Sequence, residues 1–315
     1  MTPPKPPLQG KALSRLLDAA VEIKMNPETP DDEKAFLARQ LVQVTLPHSN
    51  PGSVPAWQRR NGNLTLSIRP GWNHKKNEAI GYPYGTIPRL LLFWLTTETL
   101  RTNSRRLELG DSLADFMRQL GLDPGRGGPR SDARRLRDQM ERLFRSTISF
   151  DYKEDTGPIQ GGRWLDMQVA PKGELWWDIR QPNQATIWGS WIELGEDFHN
   201  ALVSAPVPVD MRALQALKNS AMALDLYSWA VWRSFTVAQA GKVQFIPWRG
   251  LMQQLGSDYS NPDDFRRKAK AALKKVLAVY PGLKVEQVDG GINLLPTSRP
   301  AVTRRPKKLS TKASG

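Results

Sequence analysis

The chain has 315 residues, of which 39% are hydrophobic, with 45 lysines and arginines set against 31 acids for a formal net charge of +14. It has no cysteine, which excludes disulfides, thiolate zinc sites and cysteine nucleophiles. Met1-Thr-Pro-Pro-Lys-Pro-Pro7 lacks the apolar core of a secretion signal and no apolar run approaches about 18 residues, so a soluble, cytoplasmic chain without membrane contact is expected.

Residues 1–7 are proline-rich and predicted extended. From Leu8 to Lys24 the apolar positions Leu13, Leu16, Leu17, Ala20, Val21 and Ile23 recur at helical spacing, and Asn26-Pro27 stops them. A second helix is predicted over Asp31 to Val44, with Pro30 and three acids at its start. Pro47 opens a loop, and Leu64-Thr-Leu-Ser-Ile68 alternates like a strand that closes at Pro70-Gly71.

Ile87 to Arg101 reads as a helix apolar nearly all round, hence buried, with Pro88 just inside its start. Ser104 to Leu109 gives a short strand. Ser112 and Asp115 form a capping-box pattern before a short helix that ends at Gly121. After the turn Asp123 to Pro129, Ser131 caps a helix with Ala133, Leu136, Met140, Leu143 and Phe144 on one face and Arg135, Arg142 and Arg145 turned away. Thr147 to Tyr152 and Trp164 to Val169 alternate as two strands of a hairpin, and Glu174 to Ile179 and Thr186 to Leu194 are further strand candidates.

Ala205-Pro-Val-Pro-Val-Asp210 reads as a stiff connector. Beyond Met211 to Leu217, Asn219 or Ser220 caps an apolar helix through Phe235, Lys242 to Trp248 supplies a strand and Arg249 to Leu255 a short helix. Asn261-Pro-Asp-Asp264 is a strong helix start, combining an N-cap, proline at the first helical position and acids in the first turn. The helix it opens turns Phe265, Ala269, Ala272, Leu273, Val276 and Leu277 inward. Leu283 to Val288 and Ile292 to Leu295 form a hairpin around Asp289-Gly-Gly291.

These two series are one unit given twice. Sliding the chain by 135 positions superimposes Met117 on Met252, Gln119 on Gln254, Leu120 on Leu255, Gly121 on Gly256, Asp123 on Asp258 and Trp94 on Trp229. The predicted fold class is therefore α+β: tandem helix-turn-helix units, each with a β-hairpin wing. The division is an amino-terminal helical region (1–45) forming an accessory layer to the first repeat, winged-helix domains at 46–205 and 206–297, and a basic tail at 298–315.

A helix that enters the major groove needs an apolar face to seat it and a face of basic and amide groups to reach bases and phosphates. Arg134, Arg135, Arg142 and Arg145 in the first repeat, and Arg266, Arg267, Lys268, Lys270, Lys274 and Lys275 in the second, are the candidate DNA contacts. Arg134, Arg135, Arg266 and Arg267 suit bidentate base reading, and the lysines suit phosphates. Asp132, Asp138 and Glu141 offset the first set. Trp94 and Trp229 read as core, and Trp164, Trp176, Trp177, Trp188 and Trp191 as sheet packing rather than stacking platforms. Tyr82 and Tyr84 lie in a loop where a DNA-nicking nucleophile could sit, but the three histidines, His48, His74 and His199, are scattered. No phosphate-cradling motif is present, and no cofactor, metal or enzymatic activity is expected.

Gly81-Tyr-Pro-Tyr-Gly-Thr-Ile-Pro-Arg-Leu-Leu-Leu92, Arg105-Arg-Leu-Glu-Leu-Gly110, Phe116-Met-Arg-Gln-Leu-Gly-Leu122 and Ala221-Met-Ala-Leu-Asp-Leu-Tyr-Ser-Trp229 together resemble the RepA-type plasmid replication initiators. The resemblance runs from about residue 45 to 295. It implies two winged-helix domains that bind double-stranded direct repeats (iterons) in a plasmid origin, open the nearby duplex, and recruit the host replicative helicase and initiator proteins. Related initiators bind their repeats as monomers and their own operator as homodimers. A winged-helix transcriptional regulator and a metal-dependent nicking enzyme are the alternatives.

Overall fold

The computed structural model describes residues 9–125, 128, 131–156, 159–177, 181–184, 189–255 and 259–302. The proline-rich start, parts of the 123–129 turn and of the strand candidates at 174–179 and 186–194, Trp188, Gly256, Asp258 and the tail from 303 lie outside them.

Helix α1 (Gln9–Met25) leads through a 3-10 turn into strand β1 (Lys34–Ala38) and the short α2 (Arg39–Gln43). A hairpin of β2 (Trp57–Asn61) and β3 (Leu64–Arg69) precedes a miniature one, β4 (Trp72–Asn73) with β5 (Glu78–Ala79). Next come α3 (Thr86–Thr102), β6 (Arg106–Glu108), α4 (Leu113–Gln119), α5 (Asp132–Phe144) and the hairpin β7 (Thr147–Thr156) and β8 (Ile159–Gln168). Strands β9 (Lys172–Glu174) and β10 (Trp191–Glu193), α6 (Glu196–Ser204), β11 (Pro206–Asp210) and α7 (Met211–Leu217) follow. The chain then runs through α8 (Ala221–Ala240), β12 (Gln244–Pro247), α9 (Trp248–Gln254), α10 (Pro262–Val279), β13 (Val285–Val288) and β14 (Gly291–Leu294).

The order helix, strand, short helix, longer helix, hairpin is thus present twice, and α8 and α9 begin 135 residues after α3 and α4. Local signals place the ends. The Ser112, Ser131 and Ser220 hydroxyls accept hydrogen bonds from the backbone N–H groups of Asp115, Arg134 and Ala223, and Asn261 accepts from Asp263. The two copies share helices but not sheets. Strand β12 joins its own hairpin in the order β12-β14-β13, whereas β6 pairs with β10, and the β7–β8 hairpin instead extends β3 into the sheet β2-β3-β7-β8.

The helix predicted over Asp31 to Val44 forms only in its last part, Arg39–Gln43: Lys34–Ala38 is a strand, and the stretch predicted as a connector is its partner. Antiparallel pairing runs from Lys34↔Asp210 to Ala38↔Pro206, and the other edge of β1 is engaged by α3, where the Phe36 N–H donates to Thr97 Oγ1 at 2.9 Å. These hydrogen bonds to distant segments override a local pattern that suited a helix. Helix α1, predicted to layer on the first repeat, packs instead against α7 and α10 of the second. Its descent into β1 is held by Arg212, which donates to Asp210 Oδ2 (2.7 Å) and to the Asn26 carbonyl (3.1 Å) and pairs with Glu33 (3.1 Å). Through these contacts, and the packing of α9 on β2 and α3 on α8, both repeats share one continuous core.

Candidate nucleic-acid interface

Helix α5 is seated by Ala133, Leu136, Met140, Leu143 and Phe144, all buried, leaving Arg134, Arg135 and Arg137 exposed. Each of its acids is engaged one turn on: Asp132 with Arg135 (3.1 Å), Asp138 with Arg142 (2.9 Å) and Glu141 with Arg145 (3.8 Å). The acids therefore tie up specific arginines rather than presenting bare negative charge. The pairs of the more exposed Arg135 and Arg145 are worth about 0–1 kcal/mol each and are easily exchanged.

The four α5 candidates separate into two groups. Arg134 and Arg135 point outward on the first turns. Arg142 is only 17% exposed, donates to the Tyr82 carbonyl at 3.4 Å and lies over the Tyr84 ring. Arg145 keeps 46% exposure but donates to the Trp72 carbonyl at 2.9 Å. Arg142 and Arg145 are thus engaged with residues 72–84, whereas Arg134 and Arg135 are exposed, Arg135 in its pair with Asp132. Arg137 was missed in the sequence; its place one turn after Arg134, off the apolar stripe, was the available signal.

Helix α10 carries six basic residues and two acids, against four and three on α5. Phe265, Ala269, Ala272, Leu273 and Val276 are buried beneath it. Arg266 and Arg267 pair with Asp263 (3.0 Å) and Asp264 (2.9 Å), whose charges also suit the helix amino terminus. Lys268, Lys274 and Lys275 are exposed and, among the described residues, have no ion-pair partner. Lys270 is half-buried, with its ammonium 5.9 Å from the Trp248 ring centroid, and so belongs more to the packing of α10 on α9. Ala271 is exposed between Arg267 and Lys274 on the same face.

The turn before α5 rests on the second repeat. Lys218 Nζ donates to the Gly121 carbonyl, and burial lowers the Lys218 pKa. Gly121 has φ +68° and lies so close to Gln215 that a side chain there would collide with it.

Trp94 and Trp229 are core. Trp191, in β10, packs under Arg106 at 4.0 Å, as expected of a sheet aromatic, whereas Trp177 lies beyond the end of β9, in no strand, and stacks on Phe116 at 5.4 Å. Trp164 and Trp176 depart from that expectation, at 75% and 51% exposure. Trp164 shares the strand parity of Asp166, on the opposite face from buried Met167, so the pleat turns it to solvent. Tyr82 is buried, its hydroxyl donates to the Val54 carbonyl at 2.6 Å and burial raises its pKa, none of which favours a nucleophilic role. Among the described residues no three His, Asp or Glu side chains converge as metal ligands, and no helix is long and apolar enough to cross a membrane.

Residues 82–249 match the family model described as plasmid-encoded RepA protein. The match spans more than half of the chain, from just before α3 to the start of α9, so α10 lies beyond it. No curated protein sequence matches. Among solved structures, a selenomethionine derivative of domains 2 and 3 of RctB aligns with a TM-score of 0.46 and 12% identity, over 79% of this chain and 93% of that one. A second RctB fragment containing domains 2 and 3 aligns at 0.44 and 11%, over 78% and 92%. On the family match, the chain belongs to the plasmid-encoded RepA protein family.

Proposed function

We propose that the protein initiates plasmid replication by binding double-stranded direct repeats at its origin through two winged-helix units, promoting opening of the adjacent duplex and recruiting the host replicative helicase. The observation that carries this reading is the duplicated order of helix, strand, short helix, longer helix and hairpin, in which the longer helix of each copy, α5 and α10, has an apolar face seated on its own repeat and a basic face in solvent. Arg134, Arg135, Arg266 and Arg267 are the base readers of this scheme, and Lys268, Lys274 and Lys275 anchor phosphates. Two such helices on repeats that share one core suit successive major grooves about 10 bp apart, hence a repeat of roughly 20 bp.

The test is binding of the purified protein to a duplex library cut from its own replicon near physiological salt, with footprinting of what is retained. Protection of several tandem repeats of about 20 bp is the expected result. Retention that vanishes with salt and prefers no fragment would reduce the basic helices to phosphate binding alone and overturn the reading.

A further inference from the structure

The miniature hairpin β4–β5 is too short to stand by itself; two residues per strand are marginal in water. It is nonetheless a built element. Asn73 Oδ1 accepts from the N–H groups of Lys75 (3.1 Å) and Lys76 (3.2 Å), Asn77 takes a left-handed φ of 56°, and the Ile80 N–H donates to the Gly71 carbonyl at 2.9 Å to close the base. Both of its flanks are gripped by the arginines at the end of α5: Arg145 on the Trp72 carbonyl and Arg142 on the Tyr82 carbonyl. Gly71 presses so close to the Arg145 backbone that a side chain there would collide. What the hairpin presents to solvent is its tip, His74, Lys75 and Lys76, all exposed, with Lys76 only loosely paired to Glu78 at 3.7 Å.

The carboxyl half of α5 therefore spends its cations on holding a second cationic element. We propose that the β4–β5 tip is a phosphate clamp for double-stranded DNA, with Lys75 and Lys76 contacting the backbone beside the groove that α5 occupies, and with Arg142 and Arg145 acting as positioning residues. This inference rests on the interface reading above and extends it to a segment outside both helix-turn-helix units. The tip reads no bases: two flexible ammonium groups anchor charge without the bidentate geometry that discriminates bases.

The experiment compares wild type, the Lys75→Ala/Lys76→Ala double variant, Arg145→Ala and the triple variant on a footprinted replicon fragment and on a scrambled duplex of equal length, across a salt series. The double variant is expected to lower the slope of log K against log salt by about 1.8, and to bind both duplexes on the order of 30-fold more weakly at 0.15 M salt, with sequence preference kept. Arg145→Ala should lose a similar amount and the triple variant no more than the double, because Arg145 acts through the tip. A double variant with unchanged slope on a fragment that the wild type still protects would overturn the clamp and leave the interface standing, and a further full slope unit lost in the triple variant would make Arg145 itself the contact. A wild type that protects no fragment defeats the interface reading and the clamp with it. The double variant alters only exposed tip side chains, so it decides the question even if Arg145→Ala does not fold.

Discussion

Arg89 and Asp225, 136 residues apart, form a bidentate ion pair where α3 of the first repeat meets α8 of the second, with Nε to Oδ1 at 2.7 Å and Nη2 to Oδ2 at 2.8 Å. The pair is buried, at 4% and 6% side-chain exposure. The remaining guanidinium donors go to the carbonyls of Leu46, Pro47 and Gly85, so all five N–H groups of Arg89 are used. Asp225 Oδ2 also meets His48 Nε2 at 2.7 Å. Complete satisfaction is the condition under which a buried pair is tolerable.

Removing one partner leaves the other charged and buried. Arg89→Leu and Asp225→Leu should each cost about 3–5 kcal/mol of unfolding free energy, read from urea midpoints. The double replacement should cost less than the sum of the two, since no orphaned charge remains. Strict additivity would mean that the two side chains do not act as a pair.

His48 gives the junction a pH dependence of definite sign. Burial, then the neighbouring Arg89 cation, lower its pKa below 6.5 against the pull of Asp225. Burial alone would raise the Asp225 carboxyl, but Arg89 and His48 outweigh it and bring it down to about 2. With Asp225 ionised, neutral His48 must donate from Nε2. The unfolded chain takes up this proton near 6.5 and the folded one resists it, so stability is full above 6.5 and falls as pH drops below that value. The Asp225 contribution is lost only between about 3.8 and about 2. Urea midpoints at pH 7.5 and 5.5 should differ in the wild type and differ less in His48→Gln. An equal difference in both would place the titrating group elsewhere.

On the interface, Arg266→Ala and Arg267→Ala should relax base preference at defined positions of the repeat. Lys274→Ala should weaken specific and random duplex alike and lower the salt slope by about 0.9. Both arginines are held by first-turn acids in the free protein, so their loss releases Asp263 or Asp264. Arg267→Lys, which retains charge without the planar fork, separates lost reading from that release. Footprints and competition assays on single-base variants of the repeat decide this, and equal losses on specific and random DNA would remove the arginines as readers.

What was legible in the sequence was local. Apolar spacing and the caps at Ser112, Ser131, Ser220 and Asn261 marked the helices, and the 135-residue offset marked the repeated order. What was not legible depended on partners far along the chain. Lys34–Ala38 becomes a strand because Pro206–Asp210 lies beside it, and Arg89 looks like any helical arginine until Asp225 arrives. The same limit blurred the interface: Arg134 and Arg145 are alike in sequence, and only the folded chain shows that Arg145 holds the Trp72 carbonyl.

The turn between α4 and α5 offers a cycle that tests how the first repeat leans on the second. Gly121 has two reasons to be glycine: its positive φ, and the Gln215 side chain lying where a Cβ would go. The backbone term costs alanine about 1–2 kcal/mol and survives any change at Gln215. The collision does not survive it, because Gln215→Ala clears the space. The atoms in the way are the end of the flexible Gln215 side chain, which can swing aside, so Gly121→Ala should destabilise only slightly more in the wild-type background than in Gln215→Ala, with a coupling of about 0.5 kcal/mol in urea unfolding. The shift should also weaken duplex binding, since the turn sets the entry of α5. If Gly121→Ala costs the same in both backgrounds, the contact with α7 is loose and the turn is held by Lys218 and its own conformation; if the extra cost vanishes with Gln215, α7 is the surface against which α5 is aimed.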